Sequence, residues 1–154
     1  MKNVNELIQK QDDFFNSHTT LRIDFRLKHL TQLKQAIKNH EQELIAAFRN
    51  DLGKGEFESL ASEIGLIQFE LTQHIKHLKK WASPEVVKTP LHAFPSKSYI
   101  YKQSYGRVLI ISPFNYPFML TLAPLIGAVS AGNVVVLKPS EATPQTAAVI
   151  EKII

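Results

Sequence analysis

The chain contains no cysteine among its 154 residues, and this absence excludes several kinds of chemistry. Without thiols the chain forms no disulfide, no thiolate metal site and no cysteine nucleophile. It also lacks an uninterrupted apolar run of the ~18 residues that a membrane-spanning helix needs. The most apolar stretch, residues 118–129, is interrupted by proline and threonine. We therefore expect no membrane span in this chain.

The chain also lacks a strong excess of charge, since its formal net charge is only +4. Nucleic-acid binding would need a concentrated basic patch interleaved with exposed aromatic side chains. The densest basic segment, residues 76–80, fits the polar face of a helix instead. The first residues lack the apolar segment of a secretory signal. These features predict a cytoplasmic protein with no nucleic-acid partner.

Apolar residues at helical spacing predict helices through the N-terminal half. The first covers residues 3–16, and the second runs from Leu21 to about Phe48 with a bend near Asn39–His40. The third covers roughly Glu56 to Trp81, as a packed helix of an α/β domain rather than a coiled coil. Residues 85–98 contain prolines and are predicted to be an irregular connector. Alternating residues 98–104 predict a strand.

The titratable side chains of these helices give no case for a metal site. His74 and His77 are three residues apart and could share an ion, but they lack a third ligand nearby. Both histidines are assigned to the polar side of their helix. The helical glutamates are interpreted as solvent-facing: Glu41, Glu43, Glu56, Glu58, Glu63 and Glu70.

The part of the chain after Tyr105 has the pattern of strand, helix and strand. Val108–Ile111 and Val134–Leu137 are short apolar runs typical of buried strands. Met119–Ala131 is an apolar helix that Pro124 should disturb, and Gly132–Asn133 suits its C-terminal stop. Such a unit should be parallel and right-handed. The predicted fold class is α/β: N-terminal helices followed by the first βαβ unit of a Rossmann-like domain.

Polar residues follow both predicted strands. Ligands of open parallel sheets bind outside the carboxyl ends of the strands, where Asn115 and Lys138 should lie. An amide and an ammonium there suit an anionic or oxygen-rich ligand. Two other interpretations stay open: Asn115 can bond to its own backbone in a turn, and Lys138 can form a surface ion pair with Glu141. No G-x-G-x-x-G motif follows Ile111.

Several motifs together resemble one known family. Three of them are similar to the aldehyde dehydrogenase superfamily: Ser112–Pro117, Ala131–Asn133 and Val136–Glu141. Four upstream segments resemble its class 3 and fatty aldehyde dehydrogenase branch: Asp51–Lys54, Lys79–Trp81, Lys88–Pro90 and Phe94–Ile100. The resemblance covers most of the chain, roughly from Asn16 to the end.

The resemblance implies roles for the polar residues. Asn115 would donate a hydrogen bond to the aldehyde oxygen as it becomes an oxyanion. Lys138 and Glu141 would hold the adenosine ribose hydroxyls of NAD, with NADP possible as a second cofactor. Ser140 and the backbone around Ile111, Ser112 and Pro113 would line the cofactor. Phe114 stands where the family usually has tryptophan, and it would keep an aromatic wall.

The resemblance also implies a division of the chain. Residues 1–97 would form the N-terminal helical part of the cofactor-binding domain, and residues 105–154 the start of the Rossmann-like domain. Residues 98–104 would belong to a strand arm that pairs across a homodimer. The substrate would be an aldehyde. The catalytic cysteine and the glutamate general base of the family would lie beyond Ile154.

The last segment supports the expectation of a longer protein. Thr143 can cap a helix that starts at Pro144, and the apolar face of this helix lacks a partner. Two parallel strands are also a poor sheet by themselves. We therefore expect the N-terminal piece of a longer enzyme, inactive alone. The alternative is a stand-alone, non-catalytic interaction module, which the missing cysteine favours and the unfinished βαβ unit opposes.

Overall fold

Helices form the N-terminal half of the chain, as the apolar spacing predicts. The computed structural model describes residues 4–154, so Asn3, the predicted first helical residue, lies outside the described residues. The helices are α1 (Val4–Asn16), α2 (Ile23–Asn39), α3 (Glu41–Leu52), α4 (Glu56–Ser59) and α5 (Gly65–Trp81). A 3₁₀ turn, Thr19–Leu21, joins α1 to α2, and a π-helical turn, Leu60–Ile64, joins α4 to α5.

The predicted second helix is divided in two at His40. Its backbone leaves helical geometry there, at φ −105° and ψ 15°. The ring Nδ1 of His40 lies 2.9 Å from the main-chain oxygen of Ala36, one turn earlier. The predicted bend is therefore confirmed. The second part, α3, continues past the predicted end to Leu52, where Gly53 adopts φ 70° and supplies a left-handed C-cap.

The predicted third helix is interrupted by the π-helical turn. Gly65 permits this turn, because a Cβ at this position would lie only 2.7 Å from the main-chain oxygen of Leu60. A π turn holds one residue more than an α turn and so changes the face on which its side chains lie. Glu63 lies in this turn and is fully buried. Its assignment as a solvent-facing glutamate was wrong.

The predicted connector contains a strand. β1 (Glu85–Val87) pairs antiparallel with β2 (Ser98–Ile100), and the register places Val87 opposite Ser98. The predicted strand 98–104 is thus shorter than expected, because β1 offers only three residues to pair with. The short strand β1 was missed because so short a run carries little periodic signal.

The predicted βαβ unit is present. β3 (Arg107–Ile111) and β4 (Val134–Lys138) are parallel neighbours joined through α6 (Met119–Ser130). Pro124 lies inside α6 without ending it. Gly132 follows α6 at φ 87°, which agrees with its predicted role as a helix stop.

The core lies where the helical half meets the βαβ unit. Helix α5 packs against α2 and α6, α3 packs against the C-terminal helix α7 (Pro144–Ile153), and α1 and α6 both contact β3 and β4. Fully buried side chains from these elements include Leu30, Ile37, Leu44, Phe48, Ile67, Leu71, Phe118, Leu122 and Ile126. Among residues 4–154, every helix is too short or too polar to cross a lipid bilayer.

Helix α7 begins at Pro144, as predicted, but its cap comes from a distant residue. Thr143 makes no side-chain hydrogen bond to the helix, so its predicted capping role was wrong. Asp51, at the end of α3, accepts hydrogen bonds from the main-chain N–H of Gln145 at 3.3 Å and of Thr146 at 2.7 Å. The hydroxyl of Thr146 also donates to Asp51, at 2.8 Å.

We expect Asp51→Ala to lower the free energy of unfolding by ~1–2 kcal/mol, the usual cost of losing a helix N-cap. The physical reason is that the first N–H groups of α7 lose their acceptor. Urea denaturation of the purified protein measures this change. Asp13→Ala is the control, because within residues 4–154 its carboxylate accepts a single, exposed hydrogen bond, from Gln9. Equal stabilities of the two variants would contradict the capping role.

Candidate functional site

The two parallel strands end side by side, which brings the predicted site residues to one edge. Ile111 pairs with Lys138 at the carboxyl ends of β3 and β4. The main-chain N–H of Ser112 donates to the main-chain oxygen of Lys138 at 3.2 Å. The loop of residues 112–117 and the segment of residues 138–141 therefore share the edge where open parallel sheets bind ligands.

Asn115 lies exposed on the loop that follows β3. Within residues 4–154, its side-chain amide makes no hydrogen bond, so Asn115 is not a turn residue bonded to its own backbone. Its main-chain oxygen accepts a hydrogen bond from Lys54 Nζ at 3.0 Å. Lys54 thus holds the loop through its backbone. The side-chain amide of Asn115 is exposed and could donate to an acceptor outside residues 4–154.

The other loop residues divide into a buried anchor and an exposed surface. Ser112 is buried and shares a hydrogen bond of 2.6 Å with the hydroxyl of Thr121 on α6. Pro113 and Phe114 are exposed. Ile111, the last residue of β3, is also exposed, at 68% of its surface. The side-chain hydroxyl of Ser112 is therefore engaged with α6, and the cofactor role of the backbone at residues 111–113 stays a prediction.

A buried ion pair under the loop was missed by the sequence interpretation. The side chains of Lys54 and Glu63 form it, with relative exposures of 8% and 0%. Glu63 Oε2 accepts hydrogen bonds from the main-chain N–H of Phe118 at 2.9 Å and of Met119 at 3.1 Å. A signal was available, because Glu63 stands three residues after Leu60, inside the apolar stripe of its helix.

Lys138 and Glu141 form an ion pair at the rim of the same edge. Their side chains are 47% and 82% exposed, so the pair contributes little to stability. The hydrogen bond from Lys138 lowers the pKa of Glu141, with smaller contributions from the backbone N–H of Glu141 and from the charge of Lys138. The rim therefore carries an exposed carboxylate and an exposed ammonium side by side.

An apolar groove of about 730 Å³ lies beside this rim, between β4 and α7. Its lining consists of Val135, Leu137, Pro139, Ser140, Glu141, Pro144, Ala147, Ala148, Ile150, Glu151 and Ile154. Of the predicted cofactor residues, Ser140 and Glu141 line the groove, whereas Lys138 and the residues 111–114 do not. An apolar cleft with a few polar groups at its rim suits a small organic ligand that carries hydroxyl groups.

The histidines on α5 belong to a separate, structural contact. His74 Nδ1 lies 2.7 Å from the hydroxyl of Ser130, and the His74 ring packs edge-on against Trp81. Burial lowers the pKa of His74. The assignment of His74 to the polar face was therefore wrong. Residues 4–154 contain no group of three or more side chains that could hold a metal ion.

We expect Lys138→Met to raise the pKa of Glu141 toward the ordinary glutamate range, because the hydrogen bond and the charge that favour its ionised form are lost. Because the ion pair lowers the pKa of Glu141, its small contribution to stability is present at pH values above the ordinary pKa of glutamate. This contribution disappears as the pH falls through the lowered pKa. A carbon-13 NMR titration of the Glu141 carboxyl measures the shift.

The matched control is Lys152→Met. Lys152 hydrogen-bonds Glu43 in another exposed pair, and this contact lowers the pKa of Glu43. The control should therefore raise the pKa of Glu43 and leave that of Glu141 unchanged. A Glu141 pKa that stays low in Lys138→Met would show that Lys138 is not its cause.

Comparisons with known proteins agree with this geometry. The chain matches the aldehyde dehydrogenase family over residues 1–154. A 4,4′-diaponeurosporen-aldehyde dehydrogenase from Staphylococcus aureus is 49% identical over 141 residues, which are 92% of this chain and 31% of that protein. A dimeric NADP-preferring aldehyde dehydrogenase from Canis lupus familiaris is 37% identical over 154 residues, or 100% of this chain and 34% of that protein.

A solved structure of Staphylococcus aureus AldH in a substrate-bound state has the same fold, with a TM-score of 0.97 at 45% identity. The match covers 100% of this chain and 34% of that one. Other relatives are described as family 3 members, which agrees with the class 3 resemblance. The chain spans about a third of the length of these relatives. It belongs to the aldehyde dehydrogenase family.

Proposed function

We propose that this chain forms the N-terminal part of an NAD(P)-dependent aldehyde dehydrogenase, which oxidises an aldehyde to a carboxylic acid. The observation that carries this proposal is the exposed Asn115 amide, which has no hydrogen bond within residues 4–154, at the ligand edge of a chain in this family. The chain has no cysteine. The cysteine nucleophile would therefore come from the rest of the enzyme, and the family resemblance implies the same for the glutamate general base.

Asn115 would act as an oxyanion donor. Attack of a thiolate on the aldehyde carbon places a negative charge on the aldehyde oxygen. An amide N–H that is already oriented toward this oxygen stabilises the charge without reorganisation, and such a donor typically lowers the barrier by ~3 kcal/mol. The loss of hydride then gives a thioester, and water releases the acid. Asn115 is suited to this role because its side chain is exposed and its backbone is held by Lys54.

NAD(P), when bound, would supply the acceptor for the hydride. The residues present fit its adenosine half, since a carboxylate and an ammonium together can accept from and donate to a ribose diol. Lys138 and Glu141 would hold these hydroxyls, and Ser140 with the apolar groove would receive the adenosine. The backbone around residues 111–113 would line the cofactor, and Phe114 would form its aromatic wall.

We propose a preference for NAD, with NADP tolerated. The Glu141 carboxylate would repel the 2′-phosphate of NADP. Lys138 next to it weakens this repulsion, since its ammonium can move to pair with a phosphate. The relative from Canis lupus familiaris is described as NADP-preferring, which supports tolerance of NADP.

The strand arm would mediate a homodimer. β1 and β2 carry exposed apolar side chains, with Val86 at 70% and Ile100 at 51% of their surface exposed. Strand edges with exposed apolar residues are suited to pairing with another chain. The relative from Canis lupus familiaris is described as dimeric. A cytoplasmic location stays a prediction from the sequence.

A second candidate function is a non-catalytic dimerisation module. The same exposed arm favours it, together with the absence of cysteine. One simple measurement distinguishes the two functions: the mass of the polypeptide in its natural source. A mass several times 17.4 kDa supports the enzyme, because it leaves room for the nucleophile. A mass of 17.4 kDa supports the module.

We expect Asn115→Ala to lower kcat of the full-length enzyme by roughly 100- to 1,000-fold, the usual effect of removing one oxyanion donor. Aldehyde-dependent formation of NAD(P)H measures this change, with the Michaelis constant of the cofactor as a second readout. That constant should stay unchanged, since Asn115 lies outside the groove.

The control is Asn50→Ala, since Asn50 is exposed on α3 and its side chain donates a hydrogen bond to Gln145, away from the loop of residues 112–117. It should keep the kcat of the unmodified enzyme. Turnover of Asn115→Ala within a factor of two of that enzyme would rule out the oxyanion role. A full-length protein that forms no NAD(P)H with any aldehyde would instead favour the dimerisation module.

A further inference from the structure

One buried ion pair contacts the loop that carries Asn115 at its middle and at its C-terminal end. The Glu63 carboxylate accepts from the N–H groups of Phe118 and Met119, at 2.9 and 3.1 Å, where the loop enters α6. Lys54 donates to the main-chain oxygen of Asn115 at 3.0 Å, in the middle of the loop. Lys54 and Glu63 also bond to each other, so the loop rests on a single connected group.

The contact from Glu63 is electrostatically favourable. The first N–H groups of a helix have no partner within the helix and carry partial positive charge, so a carboxylate there is stabilising. Helix α6 has no side-chain cap from its own N-cap residue, Phe118. Glu63 supplies this cap from a position 55 residues earlier in the chain, and the π-helical turn orients it inward.

The contacts of Lys54 hold the centre of the loop. Its ammonium has three donors. One is used by Glu63, one by the oxygen of Asn115, and the ammonium also lies 4.2 Å from the centre of the Tyr116 ring. A cation over an aromatic face is attracted to it. Lys54 therefore contacts two consecutive loop residues, Asn115 and Tyr116.

We propose that Lys54 and Glu63 are positioning residues for Asn115, which orient its amide toward the aldehyde oxygen. This inference rests on the function proposed above. The Asn115 side chain has no hydrogen bond within residues 4–154 that would orient it, so its direction depends on its backbone. An oxyanion donor must be held to about 0.5 Å to be effective, and supporting residues usually supply that precision.

Stability alone is a poor explanation for this pair. Burial removes both charges from water, and apolar residues of similar volume often stabilise a protein equally well or better. The pair differs from apolar residues in that it makes directed bonds to particular backbone atoms. Those bonds go to the segment that carries the catalytic amide, which agrees with a positioning role.

The test is a double-mutant cycle in the full-length enzyme. Lys54→Met is made in the wild-type enzyme, which is the natural background, and in the Asn115→Ala variant. In the natural background, we expect kcat to fall roughly 10- to 100-fold, the loss that a displacement of about 1 Å can cause. The Michaelis constant for NAD(P) should stay within two-fold. In the Asn115→Ala background, Lys54→Met should change kcat less than two-fold, because the amide to be positioned is gone.

Two further variants make the test sharper. Lys54→Met leaves the Glu63 charge buried without its partner and can prevent folding. The double variant Lys54→Met with Glu63→Gln removes both charges, keeps an oxygen for the N–H groups of α6, and should show the same dependence on Asn115. Lys152→Met is the matched control, since its pair with Glu43 is exposed and distant from the loop. It should leave kcat unchanged.

The outcomes separate the inference from the function. An equal fall in kcat in both backgrounds would overturn the positioning role and indicate a general structural effect. An Asn115→Ala enzyme with full kcat would overturn the oxyanion role of Asn115, and with it the catalytic role of the ion pair. A fall confined to the natural background supports both.

Discussion

The buried carboxylate of Glu63 is the constraint on which the ligand edge depends. A charge in the interior is tolerated only when it is paired and hydrogen-bonded, because burial removes its solvation by water. Its partners come from three parts of the chain: Lys54 after α3, the loop after β3 through Lys54, and the start of α6. Satisfying one carboxylate therefore sets the positions of these three segments relative to one another.

A second carboxylate connects the helical half to the other side of the same edge. Asp51 caps α7, as Glu63 caps α6, and neither helix receives a side-chain cap from its own N-cap residue. Asp51 lies at the end of α3, and Glu63 lies in the π-helical turn just before α5. The helical half therefore does more than cover the sheet, because it holds the N-termini of the two helices that follow β3 and β4.

The polar groups at this edge are of two kinds: buried groups that support the loop of residues 112–117, and exposed groups. Lys54 and Glu63 are buried and fully engaged, whereas Asn115, Lys138 and Glu141 are exposed. The exposed groups make few bonds to the rest of the described chain. This arrangement combines a rigid base with accessible donors and acceptors, which suits binding of an oxygen-rich ligand.

Local pattern in the sequence determined the helices, the two parallel strands and the shared edge of Asn115 and Lys138. Apolar spacing and proline or glycine stops depend on residues that are neighbours in the sequence. They can therefore be recognised without knowing which distant segment packs against them. Only the tertiary structure decided the strand β1, the partners of the Glu63 carboxylate and the capping of α7 by Asp51. Each of these depends on a partner distant in the chain, such as Phe118 for Glu63 or Thr146 for Asp51. A three-residue strand carries little periodic signal, and the position of Glu63 in an apolar stripe does not tell which groups bind it, so these environments are set only when the distant segments pack together.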